Sequence, residues 1–183
     1  MKLFKYLQIG FIVILTLLSC ETITGEESKK DPASKQDPAA KQEPAQVDKN
    51  LEKFASVLGE QGEGGYKWPP SVQKVAFKTT KVSDHLESVV TITLSENVKE
   101  EVMALCVLIA GQTYGVATHQ GIPIEKAAVV IEKPAGKGRF LLPLKECTEM
   151  GKALLAQPRD DNQLQNAIFN FTMAALSVRW TTE

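Results

Sequence analysis

From residue 72 onward, apolar and polar residues follow two different periods. Val72 to Val82 alternate, as do Leu86 to Leu94, where Val90, Ile92 and Leu94 fall on one face and Thr91 and Thr93 on the other. A period of two is that of a strand with one buried face, and Ser83-Asp84-His85 supplies a turn, so the pattern predicts a hairpin. Asn97, with Glu100 three residues on, reads as a helix cap, and Val98, Val102, Leu105, Ile109 and Val116 then keep to one helical stripe. The middle of this helix, Met103 to Ala110, is apolar all round, which predicts a centrally buried element too short to span a membrane.

The pattern then repeats. Ala127 to Glu132 and Arg139 to Leu144 are a second pair of strand candidates, joined by a loop of Lys133-Pro134-Ala135-Gly136-Lys137-Gly138. Helical spacing resumes from Thr148 to Ala156, stops near Pro158, and restarts after Asp160 or Asp161 through to about Val178. The order ββαββαα predicts an α+β domain, an antiparallel sheet of about four strands with helices packed on one face. The last helix carries two apolar stripes. Leu164, Ile168, Phe171, Ala175 and Val178 form one; Phe169, Met173, Leu176 and Trp180 form another, well round the helix. The first stripe suits burial against the sheet, and the second is expected to pack inside the domain or to meet a partner.

Before residue 66 the composition changes. Glu21 to about Gly65 is rich in Lys, Glu, Asp, Pro, Ala, Gln and Gly, too poor in large apolar residues to fold by itself. It contains a six-residue repeat, Lys29-Lys30-Asp31-Pro32-Ala33-Ser34, Lys35-Gln36-Asp37-Pro38-Ala39-Ala40 and Lys41-Gln42-Glu43-Pro44-Ala45-Gln46. Proline every sixth residue blocks both helix and sheet, which predicts a stiffened tether. Leu51, Phe54, Val57 and Leu58 fall at helical spacing and predict one or two turns of helix within it. A flexible coil of this length would reach roughly 35–40 Å.

At the start of the chain, Lys2 and Lys5 precede an apolar run from Ile9 to Leu18, about half the roughly 20 residues a membrane-spanning helix needs. Leu17-Leu18-Ser19-Cys20 follows and resembles the lipobox of bacterial lipoproteins. The resemblance covers about the first twenty residues. It implies that residues 1–19 are a signal peptide removed on export, and that Cys20 becomes the diacylated first residue of the mature protein. Two acyl chains hold a protein stably at a membrane where one does not. Glu21, in place of an Asp, implies the outer rather than the inner membrane. The expected organisation is therefore signal peptide 1–19, lipidated tether 20–65 and a single domain 66–183.

Charge and chemistry narrow the function classes only a little. Lys and Arg number 21 against 22 Asp and Glu, and loss of Lys2 and Lys5 leaves a formal charge of about −3, which does not suggest a nucleic-acid partner. Cys106 and Cys147 are candidates for a disulfide in an oxidising compartment, worth roughly 4 kcal/mol if formed; otherwise they are buried small hydrophobes. Neither stands in a zinc-ligand pattern, and no metal or cofactor is expected. His85 and His119 are the two histidines. Asp84, His85 and a serine could assemble a hydrolytic triad on paper, although no nucleophile elbow is present. Asp160 and Asp161 are more simply helix caps. The Gly111-to-Gly115 spacing suits close packing against the sheet, and Lys133, Lys137 and Arg139 could hold an anion at a hairpin tip.

Tyr66 and Trp68, followed by Pro69 and Pro70, stand where tether meets domain and could clasp the sheet edge or offer a partner surface, as could Phe169 and Trp180. These readings together point to a lipid-anchored, non-enzymatic envelope protein that binds a protein or cell-wall partner. The alternatives are a chaperone-like accessory of a secretion machine, docking through the last helix, and an envelope hydrolase.

Overall fold

The computed structural model describes residues 43–176 and 181–182. The lipobox and Cys20, the tether up to residue 42, and Trp180 lie outside the described residues.

Among the described residues the first element is helix α1 (Pro44–Glu60), well before Tyr66. Pro44 is the third proline of the six-residue repeat, and here it opens a helix, because the first turn has no use for the N–H that proline lacks. Val47, Leu51, Ala55 and Leu58 fall at helical spacing and are buried, Val47 and Leu51 completely. Residues 44–60 are therefore part of the domain, and the expectation of a tether running to residue 65 is corrected. Too few of these residues are apolar to fold alone, but their single stripe is enough once a sheet and a second helix lie beneath it.

Strands β1 (Val72–Val82) and β2 (His85–Leu94) form the expected antiparallel hairpin. Its two-residue turn places Ser83 at φ 56°. Helix α2 (Glu100–His119) follows, then β3 (Ile124–Lys133) and β4 (Gly136–Leu141), which pair antiparallel. The loop between them is shorter than the sequence suggests, because pairing extends to Lys133 and Gly136. Helices α3 (Leu144–Leu155) and α4 (Asp161–Leu176) complete the domain, and the two-residue β5 (Thr181–Thr182) pairs with β4.

The class is α+β, with strand order β1-β2-β3-β4-β5. One detail departs from the expected antiparallel sheet: β2 and β3 run parallel, from Leu86 beside Ile124 to Thr93 beside Glu132. The lengths explain this. α2 has 20 residues and β2 has 10, so the helix returns the chain about 30 Å along a strand of about 33 Å. The chain re-enters the sheet near the end where β2 began.

Alternation fixes which face is covered. Along β2, Leu86, Ser88, Val90, Ile92 and Leu94 are all buried, whereas His85, Val89 and Thr91 on the opposite face are only half-buried. Val90 and Ile92 pair laterally with Phe77 and Val75 on one side and with Val129 and Ile131 on the other. α1, α2 and α3 lie against this face, whereas α4 packs on α3, and its inward stripe, expected to meet the sheet, instead brings Phe171 against Gly111 of α2. Three hydroxyls also sit on the covered face: Thr79 donates to Ser88 Oγ (3.0 Å), which shares a hydrogen bond with Tyr114 Oη (3.0 Å). Pairing them with one another avoids the penalty of burying bare polar groups. α2 packs on α1, α3 and β3, so every residue from Ile109 to Ala117 is buried. By length and composition α2 could cross a membrane, but 61% of its apolar stretch is buried inside the domain, which accounts for its apolarity.

The Gly111–Gly115 spacing serves a contact other than the expected one with the sheet. Gly115 meets the backbone of Cys147 and Gly151 on α3, and Gly111 faces Phe171 of α4 and Met150 of α3. These glycines let two neighbouring helices approach α2 closely.

Candidate functional site

α4 begins at a well-made cap. Asp160 Oδ1 accepts from the main-chain N–H of Asn162 (2.9 Å) and Gln163 (3.2 Å), the role expected of an aspartate at a helix start. Asp161 makes an ion pair with Arg159 at 3.2 Å. Leu164, Ala167 and Phe171 turn inward and are buried. On the other side, Phe169 is 64% exposed, Met173 54% and Leu176 77%. The second stripe read from the sequence thus exists, and it faces solvent instead of packing inside the domain. Spaced by four and three residues, its side chains form one continuous strip.

The surroundings of that strip are also informative. From Asn162 to Leu176 the helix carries no charged residue; its polar positions are Asn, Gln and Thr. Beside it, between α3 and α4, runs a groove of about 340 Å³ lined by Lys145, Glu146, Glu149, Ala167, Asn170 and Met173. The result is an apolar and amide surface with charged groups along one border.

The other candidates do not converge on this surface. Trp68 is a structural clasp. Its indole N–H donates to the Ala55 carbonyl (3.2 Å), its main-chain N–H donates to the Gly59 carbonyl (2.8 Å), and the ring lies so close to Gly59 that a Cβ there would collide with it. It grips α1, not the sheet edge, and being only half-buried it also lines the groove between α1 and β1. Tyr66 is half-buried on the same connecting segment.

Lys133, Lys137 and Arg139 are separated by the pleat. Lys133 shares the covered face with Val129 and Ile131, its ammonium 4.0 Å from Met103 Sδ on α2. Lys137 and Arg139 belong to the opposite face, and Lys137 stands beside Glu132. The three do not form one anion site. Cys106 and Cys147 are both free and buried, so no disulfide joins them. Burial pushes the Cys106 thiol up to about 12 and raises Cys147 as well.

Among the described residues, no triad is assembled around His85. Its ring lies within 3.4–3.8 Å of carboxylates of Asp84, Glu87 and Glu125. Ser88, the serine nearest along β2, is on the opposite face of the strand and is engaged with Thr79 and Tyr114. Glu87 is held below the usual carboxylate range chiefly by its hydrogen bond from Lys126 at 2.7 Å, and secondarily by His85. His119 is exposed at the end of α2. Among the described residues, no group of three or more His, Cys, Asp or Glu is placed to hold a metal ion.

One feature escaped the sequence reading. α1 and strand β1 enclose a groove of about 510 Å³ lined by residues that include Glu52, Ala55, Glu60, Trp68, Val75 and Phe77. The groove exists only because residues 44–60 fold onto the sheet. Its one sequence signal was the run of Lys74, Lys78 and Lys81 in β1, typical of an edge strand.

Comparison with known proteins finds no family model, no curated protein and no solved structure that matches this chain.

Proposed function

We propose that this chain is a lipid-anchored protein of the bacterial envelope, at the outer membrane, and acts as a non-enzymatic module that binds a protein partner through α4. The observation that carries this reading is the solvent-facing strip of Phe169, Met173 and Leu176 on a helix with no charge beyond Asp161. The cores of protein interfaces are enriched in aromatic residues and Met and depleted of Lys, Glu and Asp. Three large apolar side chains in a row gain nothing from water, whereas their burial is worth about 25 cal/mol per Å². A helix lying on the membrane surface would instead carry Lys and Arg along its polar face, and α4 has none. The anchor rests on the lipobox resemblance, and the tether before α1 gives the domain room to reach a partner.

The test is photo-cross-linking in intact cells, with Phe169→Glu and Met173→Glu compared with the unaltered chain. Both positions are exposed, so the variants should fold normally, seen as an unchanged thermal transition. Their cross-linked partner should be lost. Undiminished recovery with both variants would reject α4 as the surface, and an unmodified Cys20 thiol in the mature protein, read by mass spectrometry, would reject the anchor.

A further inference from the structure

We propose that the open edge of β1, with the groove beside it, is a second docking site that accepts an extended segment of a partner protein as an added strand, in which apolar and acidic residues alternate. This site is separate from α4 and does not depend on it.

The main chain provides the first argument. β1 has 11 residues, and among the described residues it pairs with β2 alone. Its other edge therefore offers unpaired N–H and C=O groups. In a two-residue hairpin the closing pair, here Val82 and His85, is hydrogen-bonded, and the bonded pairs then alternate. That alternation turns the main-chain groups of Val75, Phe77 and Thr79 to the open edge. A strand added there would gain several main-chain hydrogen bonds, the usual basis of strand addition.

The second argument is the shape of the site. Val75 and Phe77 also point their side chains to the covered face, where they join Trp68 and Ala55 in the groove, and α1 forms the far wall. An added strand would place every other side chain into this groove. With about 510 Å³ between helix and strand, it can take more than one aliphatic side chain.

Charge selects the partner. Lys74 and Lys78 lie on the opposite phase of β1, exposed, with no ion pair among the described residues, and Lys74 also contributes to the lining of the groove where β1 begins. Carboxylates at alternate positions of an added strand would come to rest beside them. Glu52 and Glu60 line the groove wall and would repel acidic residues there, so the two phases cannot be exchanged. Lysines on an edge strand ordinarily keep stray strands away. Here they would also admit a strand of the complementary sign.

The same facts disfavour two other occupants. In the segment of this chain before α1, Pro32 and Pro38 have no N–H to give to a ladder. A second copy pairing β1 with β1 would crowd Lys74, Lys78 and Lys81 of both copies along one edge.

The test uses the full chain purified in detergent and a labelled eight-residue peptide alternating valine and glutamate, with a valine–lysine peptide as the control. Fluorescence anisotropy should show saturable binding of the first peptide only. Lys78→Glu should weaken it by about tenfold and admit the lysine peptide instead. Val75→Pro, which removes an outward N–H, should abolish it. Amide exchange should slow at Val75, Phe77 and Thr79 when the peptide is bound. Failure of the acidic peptide to bind at millimolar concentration, binding indifferent to Lys78→Glu, or protection confined to α4 would each overturn the proposal. The last of these would leave the α4 reading intact.

Discussion

Gly115 on α2 and Gly151 on α3 face each other where the two helices cross, so closely that a Cβ on either would run into the backbone of the other helix. The neighbours in the way are main-chain atoms of Cys147, Gly115 and Val116, which cannot rotate aside as a side-chain tip can. Replacing glycine by alanine inside a helix ordinarily gains up to about 1 kcal/mol. Here overpacking wins. Gly115→Ala and Gly151→Ala should each destabilise the domain by about 2–3 kcal/mol or more, measured by urea unfolding. A neutral or stabilising result would mean that the helices do not meet at this point.

The buried thiols give a redox and a pH prediction. Because Cys106 and Cys147 are unpaired, adding a reductant should leave the melting temperature unchanged, and both thiols should react with an alkylating reagent only after unfolding. A melting temperature that falls under reductant would indicate a bridge. Cys106 is raised from 9.0 to about 12 by burial, and Cys147 and Tyr114 are raised too. From about pH 9 upward the unfolded chain therefore releases protons that the native chain still holds, so stability must fall as pH rises. Melting temperatures between pH 7 and 11 should be level at first and then decline from about pH 9. A level profile throughout would contradict the burial of these groups.

Trp68 gives a prediction for the clasp that holds α1. Trp68→Ala should cost about 2–4 kcal/mol, as expected for a large, partly buried ring. Trp68→Phe, which loses the hydrogen bond to Ala55 but keeps most of the apolar contact, should cost about 1 kcal/mol. Denaturation of the two variants checks both values. Unchanged stability in Trp68→Ala would mean that the ring does not hold α1 in place.

Much of the fold was legible because each element announces itself locally. The alternation of Val90, Ile92 and Leu94 with Thr91 and Thr93 is enough to specify a strand with one wet face, and the two stripes of the last helix can be counted directly. Asp160 as a cap follows from its own side chain and the two N–H groups after it. These readings depend on residues a few positions apart, and so survive whatever the rest of the chain does.

Other features rest on which element comes to lie against which. The parallel pairing of β2 and β3 follows from a helix long enough to carry the chain back along the strand, and α1 joins the domain because a sheet and α2 wait beneath its single apolar stripe. Lys133 parts from Lys137 and Arg139 through strand pairing that extends further into the hairpin than Gly and Pro suggested. The cysteines, 41 positions apart, could be placed only once α2 and α3 were packed. By itself the sequence determined the elements from β1 to α4, their order and the two-striped character of the last helix, since periodicity records which side of an element is meant to leave water. Only the tertiary structure decided that Phe169, Met173 and Leu176 stay outside and that a groove opens along β1. Covering a face depends on partners distant in the chain, and no local pattern encodes their arrival.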